Sequence, residues 1–191
     1  ILSNMLLESK NNILKLNTTD LDIGICCELP VNIYEEGAIT IPAKRFSDIV
    51  RELPSGDIII HARKNNQVEI EGEQCRFKLI GLPKEEYPKF PEFKDKEAIQ
   101  IKQADLKEML RLTVFAVSHE ESRYVLNGLL VEVNGDILRI VATDGRRLAK
   151  IERKLLHPSN KDVSVILPVK AVQEISRNLK DEGDVTFITG T

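Results

Sequence analysis

Apolar and polar residues alternate over short stretches in two widely separated parts of the chain. Residues 4–9 and 12–17 carry this period of two, and so do 127–133 and 136–142, which predicts strands with one buried face. The first pair meets at Asn11-Asn12 and the second at Asn134-Gly135, residues suited to a tight hairpin turn. Further strands are predicted at 22–28, 38–41, 57–62, 67–71, 74–80 and 98–101. The period lengthens to that of a helix at Phe46, Ile49, Val50 and Leu53, a face predicted to be buried. Pro42 opens this helix, where a missing N–H costs nothing, and Pro54 and Gly56 stop it. A second helix is predicted over 104–118, with Leu106, Met109, Leu110, Thr113, Val114 and Val117 along its apolar face.

The pattern repeats. Displaced by 124 positions, "ILSNMLLESKNNILKLNTTD" (1–20) falls on "VLNGLLVEVNGDILRIVATD" (125–144), matching Leu6 with Leu130, Glu8 with Glu132 and Thr19-Asp20 with Thr143-Asp144. After a two-residue insertion, "IPAKRFSDIVREL" (41–53) falls on "LPVKAVQEISRNL" (167–179), pairing Pro42 with Pro168, Lys44 with Lys170 and Arg51 with Arg177. The period is far too long for a solenoid. It indicates two copies of one α+β unit with helices packed on antiparallel sheets. We place the first domain at 1–95 and the second at 96–191, with the Pro-rich stretch 81–93 as linker. By the repeat, the first domain lacks an opening strand and helix and the second lacks its closing strands, so a fragment of a longer protein is expected.

Composition narrows the function. A net charge of −3 argues against broad electrostatic gripping of DNA, and 5% aromatics without Trp argues against a base-stacking platform. No apolar run reaches membrane-spanning length and the N-terminus has no signal-peptide pattern, so the expected location is cytoplasmic. Cys26, Cys27 and Cys75 read as reduced thiols, and His61, His119 and His157 lack metal-ligand spacing, so no metal or cofactor is expected.

Two groups of residues remain as candidates. Lys44 and Arg51 recur as Lys170 and Arg177, seven positions apart and therefore on one side of each helix, while Lys107 and Arg111 stand four apart on the polar face of 104–118. Such faces are either merely solvated or form a shallow surface for phosphates. The second group is "VATDGRRLAK" (141–150). Its Thr-Asp is shared by both copies and reads as turn structure, whereas Gly145-Arg146-Arg147-Leu148 occurs only in the second copy. It lacks the pattern of a phosphate loop, and Asp144 has neither a His nor a second carboxylate in the motif for catalysis or metal binding. Cations beside apolar side chains suit the lip of a peptide groove. Two other readings stay open: a DNA-processing or nucleotide-handling enzyme using Asp144 and Arg147, and a catalytically silent adaptor that binds peptides.

"RYVLNGLLVEV", "ILRIVATDGRRLA" and "VILPVKAVQEI" resemble the central domain of the bacterial DNA polymerase III beta subunit, the sliding clamp family, and "ITIPAKRFSDIVRELP" with "CRFKLIGLPKEEYPKFP" resembles the end of its first domain. The resemblance implies a DNA clamp fold and a ring of two three-domain subunits around duplex DNA, bound without regard to sequence. It implies no chemistry. The family tethers the polymerase alpha subunit, other DNA polymerases and repair proteins, and a clamp loader places it. By the resemblance, Lys44, Arg45, Arg51, Lys107, Arg111, Arg123, Lys170 and Arg177 face inward, with Tyr124 near the DNA. Glu120 is left out because a carboxylate there weakens a phosphate contact. Partners insert a short hydrophobic-ended peptide into a pocket, whose wall by motif is Leu126, Thr143, Gly145, Arg146, Arg147, Leu148, Pro168 and Val172. Arg146 stands where the family commonly has an aromatic residue or His, a departure that bears on selectivity.

Overall fold

The computed structural model describes residues 1–90, 98–120 and 124–188, with the backbone only at Tyr124. Contacts divide the chain into two units, Ile1–Pro91 and Glu92–Thr191.

In the first unit, β1 (Asn4–Lys10), β2 (Ile13–Thr19), β3 (Gly24–Pro30) and β4 (Gly37–Pro42) form an antiparallel sheet in the order β3-β2-β1-β4. Helix α1 (Ala43–Glu52) follows, and β5 (Ile59–Ala62), β6 (Gln67–Glu71) and β7 (Arg76–Ile80) form a second antiparallel sheet. The second unit begins with β8 (Ala98–Lys102) and α2 (Gln103–Thr113). Its main sheet runs β11-β10-β9-β12, built from β9 (Gly128–Asn134), β10 (Ile137–Thr143), β11 (Leu148–Lys154) and β12 (Val163–Pro168). Helix α3 (Val169–Asn178) follows, and β13 (Asp184–Ile188) pairs with β8.

The duplication holds at the level of element bounds. Adding 124 to the limits of β1, β2 and β3 gives those of β9, β10 and β11, and adding 126 to those of β4 and α1 gives those of β12 and α3. Pro42 and Pro168 each end a strand and cap the helix that follows, in extended conformation with φ −60° and −58°. Each therefore stands one residue before the helix it was expected to open. The two hairpins differ in detail. Asn11 and Asn12 both have positive φ, whereas in the second the loop is Gly135-Asp136 and only Gly135 does. The second loop thus starts one residue later than expected, with its glycine at the first central position.

Two further expectations need correction. The helix expected over 104–118 stops at Thr113 and tightens into a 3-10 turn at 114–116. The Thr113 hydroxyl donates to the Met109 carbonyl at 2.7 Å, competing with the backbone ladder where β-branched Val114 and Val117 already disfavour helix. The stretch 81–90 belongs to the first unit rather than to a free linker. Thr40 and Leu82 exchange backbone hydrogen bonds at 3.0 Å, and the buried Tyr87 hydroxyl donates to the Asn17 carbonyl at 3.1 Å. A Cβ on Gly81 would lie 2.4 Å from the Thr40 carbonyl oxygen, which is why a glycine stands there.

The cores also differ. In the second unit Leu106, Met109 and Leu110 of α2, Leu129 of β9, Ile140 of β10 and Val172 of α3 are all nearly inaccessible. Burying each such side chain contributes roughly 1.5–3 kcal/mol. In the first, Ile39 and Ile41 pack with Val68, Ile70 and Leu79 of the other sheet. Helix α1 buries no residue fully. Phe46, Ile49 and Leu53 are half-buried against the core and Val50 is exposed, because α1 has no neighbouring helix among the described residues whereas α3 has α2.

Candidate functional site

Strand register gathers most of the expected lip at one end of the second unit's sheet. Thr143 at the end of β10 pairs with Leu148 at the start of β11, and Pro168 at the end of β12 pairs with Gly128 at the start of β9. Leu126 is half-buried two residues before Gly128, and its carbonyl accepts the Ser118 N–H at 2.9 Å. Leu148 is 64% exposed, and Gly145, Arg146, Arg147 and Pro168 are exposed with it. Val172 does not join them. It sits one turn into α3, 1% exposed in the core, and offers no surface to a ligand.

The turn itself is a set of short bonds. The Thr143 hydroxyl donates to the Arg147 carbonyl at 2.7 Å and accepts the Gly145 N–H at 3.1 Å. Asp144 Oδ1 accepts the backbone N–H groups of Arg146 and Arg147, each at 2.9 Å, and Oδ2 accepts Arg147 Nε at 2.9 Å. Those backbone N–H groups, helped by the Arg147 charge, hold the Asp144 carboxyl below the usual carboxylate range. Both oxygens are committed to the turn. Gly145 has φ +86°, the left-handed conformation glycine adopts without cost.

The ring of Phe115, on the 3-10 turn after α2, was not among the expected residues. Its centroid lies 5.6 Å from Arg147 Cζ, and the residue is 55% exposed. A signal was present in sequence: Phe115 is an aromatic residue off the apolar stripe that runs through Thr113, Val114 and Val117.

The helix cations fall into two kinds. Lys44, Arg45 and Arg51 on α1 and Arg111 on α2 are exposed, and no ion pair holds them among the described residues. Lys170 is exposed on α3. Lys107 instead meets Asp181 at 2.6 Å, which lowers the Asp181 pKa, and Arg177 meets Glu174 at 2.6 Å. Glu174 occupies the position of Asp48 in α1; its longer chain reaches one turn on, and Asp48 makes no such pair with Arg51. Arg123 lies outside the described residues. Tyr124 opens a short 3-10 turn, 124–126. A shallow depression of about 200 Å³ lined by Glu132, Asn134, Ile137, Arg139 and Glu152 lies at the opposite end of the same sheet. Arg139 bridges Glu132 and Glu152 there at 3.3 and 2.7 Å, so its charges answer one another and it is not the site. Among the described residues no cluster of His, Cys, Asp and Glu could hold a metal, and no helix is long and apolar enough to cross a membrane.

A duplicated α+β unit with antiparallel sheets and cation-bearing helices is the architecture of the sliding clamps. The whole chain aligns with a DNA polymerase sliding clamp from Bacillus subtilis at a TM-score of 0.94 and 32% identity, covering 52% of that chain. A Pseudomonas aeruginosa sliding clamp solved with griselimycin bound aligns over 99% of this chain and 52% of its own, at a TM-score of 0.89 and 35% identity. Residues 1–91 match the family described as DNA polymerase III beta subunit, N-terminal domain, and residues 100–191 match its central domain. The chain belongs to the DNA polymerase III beta subunit family. It is 37% identical to the beta sliding clamp of Chlamydia pneumoniae across 98% of its length, and spans about half, 51%, of that relative.

Proposed function

We propose that this chain is most of the first two domains, 1–95 and 96–191, of a processivity factor that encircles duplex DNA and tethers polymerases and repair proteins. In the full-length protein a third domain completes the ring as a homodimer, and a clamp loader places it on DNA in the cytoplasm. The observation that carries the reading is the match of both copies, over the whole chain, to solved sliding clamps. Exposed Lys44 and Lys170 at corresponding positions of α1 and α3 supply a repeated cation for phosphates. Few strong phosphate contacts suit a ring held by topology, since each added one releases counterions and hinders sliding. The net charge of −3 agrees with that.

The lip formed by Leu126, Thr143, Gly145, Arg146, Arg147, Leu148 and Pro168 is the partner-peptide wall of the second domain. The Pseudomonas aeruginosa relative solved with griselimycin bound supports reading this fold as one that takes a ligand. The protein acts by binding and not by catalysis: Asp144, the one acid of the motif, has both oxygens bonded within the turn and a carboxyl held below its usual range, which makes it a weak general base. The test is charge reversal of Lys44, Lys170 and Arg177 together in the full-length protein. Processive synthesis on primed circular DNA is expected to shorten while peptide binding is unchanged. Unaltered synthesis would refute the inward-face assignment.

A further inference from the structure

Arg146 and Arg147 are neighbours of equal charge, yet the structure holds them differently. Arg147 is fixed twice. Its Nε donates to Asp144 Oδ2 at 2.9 Å, and its Cζ stands 5.6 Å from the centre of the Phe115 ring. Arg146 is tied only through its backbone N–H, and no ion pair holds its side chain among the described residues. Phe115 comes from a different element, the 3-10 turn at 114–116, whose Ala116 is buried in the core and whose Val114 packs against it. The ring is thereby anchored at its backbone while 55% of the residue remains exposed. A guanidinium over an aromatic face is attracted by the ring quadrupole, and a planar guanidinium suits that face better than an ammonium. The carboxylate and the ring restrain the guanidinium from two elements, and the two Nη groups of Arg147 make no bond to the protein among the described residues.

We infer that Phe115 is a positioning residue of the lip: it holds the Arg147 guanidinium so that its Nη groups are presented to the backbone or carboxylate of an incoming peptide, while Arg146 remains the adaptable cation. This rests on the peptide-lip reading above. It accounts for a large apolar side chain left in water beside a lip residue, and it couples the end of α2 to the β10–β11 turn. Pre-set donors lose less freedom on binding, so the expected gain is in affinity without a new contact.

Two measurements on the full chain test it with Phe115→Leu, Phe115→Tyr and Arg147→Lys. The first is solvent exchange of the Arg147 Nε–H followed by NMR. Exchange is expected to quicken several-fold in Phe115→Leu and to stay as in the parent protein in Phe115→Tyr; an unchanged rate in Phe115→Leu overturns the positioning role. The second is titration of a fluorescein-labelled synthetic hexapeptide ending in Leu-Leu. Affinity is expected to fall about two- to fivefold in Phe115→Leu, the range of an exposed cation–π contact, and to recover in Phe115→Tyr. Adding Phe115→Leu to Arg147→Lys is expected to cost little more, because the planar partner is already gone; equal losses in both backgrounds overturn the inference. If the parent protein fails to bind the peptide while the Nε–H effect is present, the peptide-lip reading falls and the restraint on Arg147 stands.

Discussion

The turn at 19–23 and the turn at 143–147 are the same device carrying different residues. In each, a Thr hydroxyl donates to the carbonyl four residues on, at 2.9 Å from Thr19 and 2.7 Å from Thr143. In each, an Asp Oδ1 accepts the N–H groups two and three residues ahead, Asp20 those of Asp22 and Ile23, Asp144 those of Arg146 and Arg147. The third residue has φ +81° at Leu21 and +86° at Gly145. The scaffold is held by bonds from the Thr and Asp side chains to the backbone, which do not depend on what the remaining side chains are. The first copy fills them with Leu21, Asp22 and Ile23, the second with Gly145, Arg146 and Arg147, and among the described residues the second alone sets a guanidinium, that of Arg147, beside a ring, Phe115. Duplication thus kept the geometry and left the surface free to differ.

The largest test of this contrast concerns one helix from each unit. Met109→Ala on α2 removes a fully buried side chain and is expected to cost about 2–5 kcal/mol, whereas Phe46→Ala on half-buried α1 should cost less, about 1–2 kcal/mol. Urea unfolding followed by hydrogen exchange in each unit reads both, and equal losses would mean that helix burial does not set the stability difference. Next, Arg147→Ala with Leu148→Ala is expected to weaken binding of a hydrophobic-ended peptide by about 1–3 kcal/mol in calorimetry. Replacing Ile23, the counterpart of Arg147, by Ala should leave that affinity alone. If it does not, the lip is not confined to the second copy.

Acid is the third lever. The Asp144 carboxyl is held below its ordinary value, so its bonds stabilise the fold above an unfolded pKa of about 3.9 and lose that contribution as pH falls through the lower folded value. Asp144→Asn keeps an acceptor but removes the charge. Its melting temperature is expected to lie below that of the parent protein near neutral pH, with the gap closing under about pH 4. A gap constant down to pH 2 would mean the charge contributes nothing to the turn. The smallest effect is at the left-handed position. Leu21→Gly should stabilise the protein by up to about 1 kcal/mol by relieving that conformation, and Gly145→Leu should cost about as much. Thermal melts of the two variants shifting the same way would break the equivalence of the turns.

Much of this architecture was written in the period and punctuation of the chain. Strands of alternating polarity, the hairpins at residues 11–12 and near Gly135, and a Pro at the start of each repeated helix follow from local sterics, and the displacement of the repeat carries the bounds of one copy's elements onto the other's. Thr-Asp was legible as turn structure because short polar side chains bond amides two and three residues away wherever the chain reverses. Residues that owe their state to distant neighbours were not legible. Val172, placed on the lip by its motif, is sealed by α2, whereas Phe46, its counterpart, is left half-exposed because α1 is the first unit's one α-helix among the described residues. Helical period cannot show whether a second helix will cover an apolar face, nor can charge spacing show that Asp181 would capture Lys107 from 74 positions away. Phe115 beside Arg147 is of the same kind: they are far apart along the chain, and only the packing of α2 against β10 and β11 brings the ring to the guanidinium. The sequence by itself determined what is local, because backbone conformation and side-chain period are set within a few residues. Which surfaces close, which charges cancel and which ring faces which cation were decided only when the sheets and helices packed.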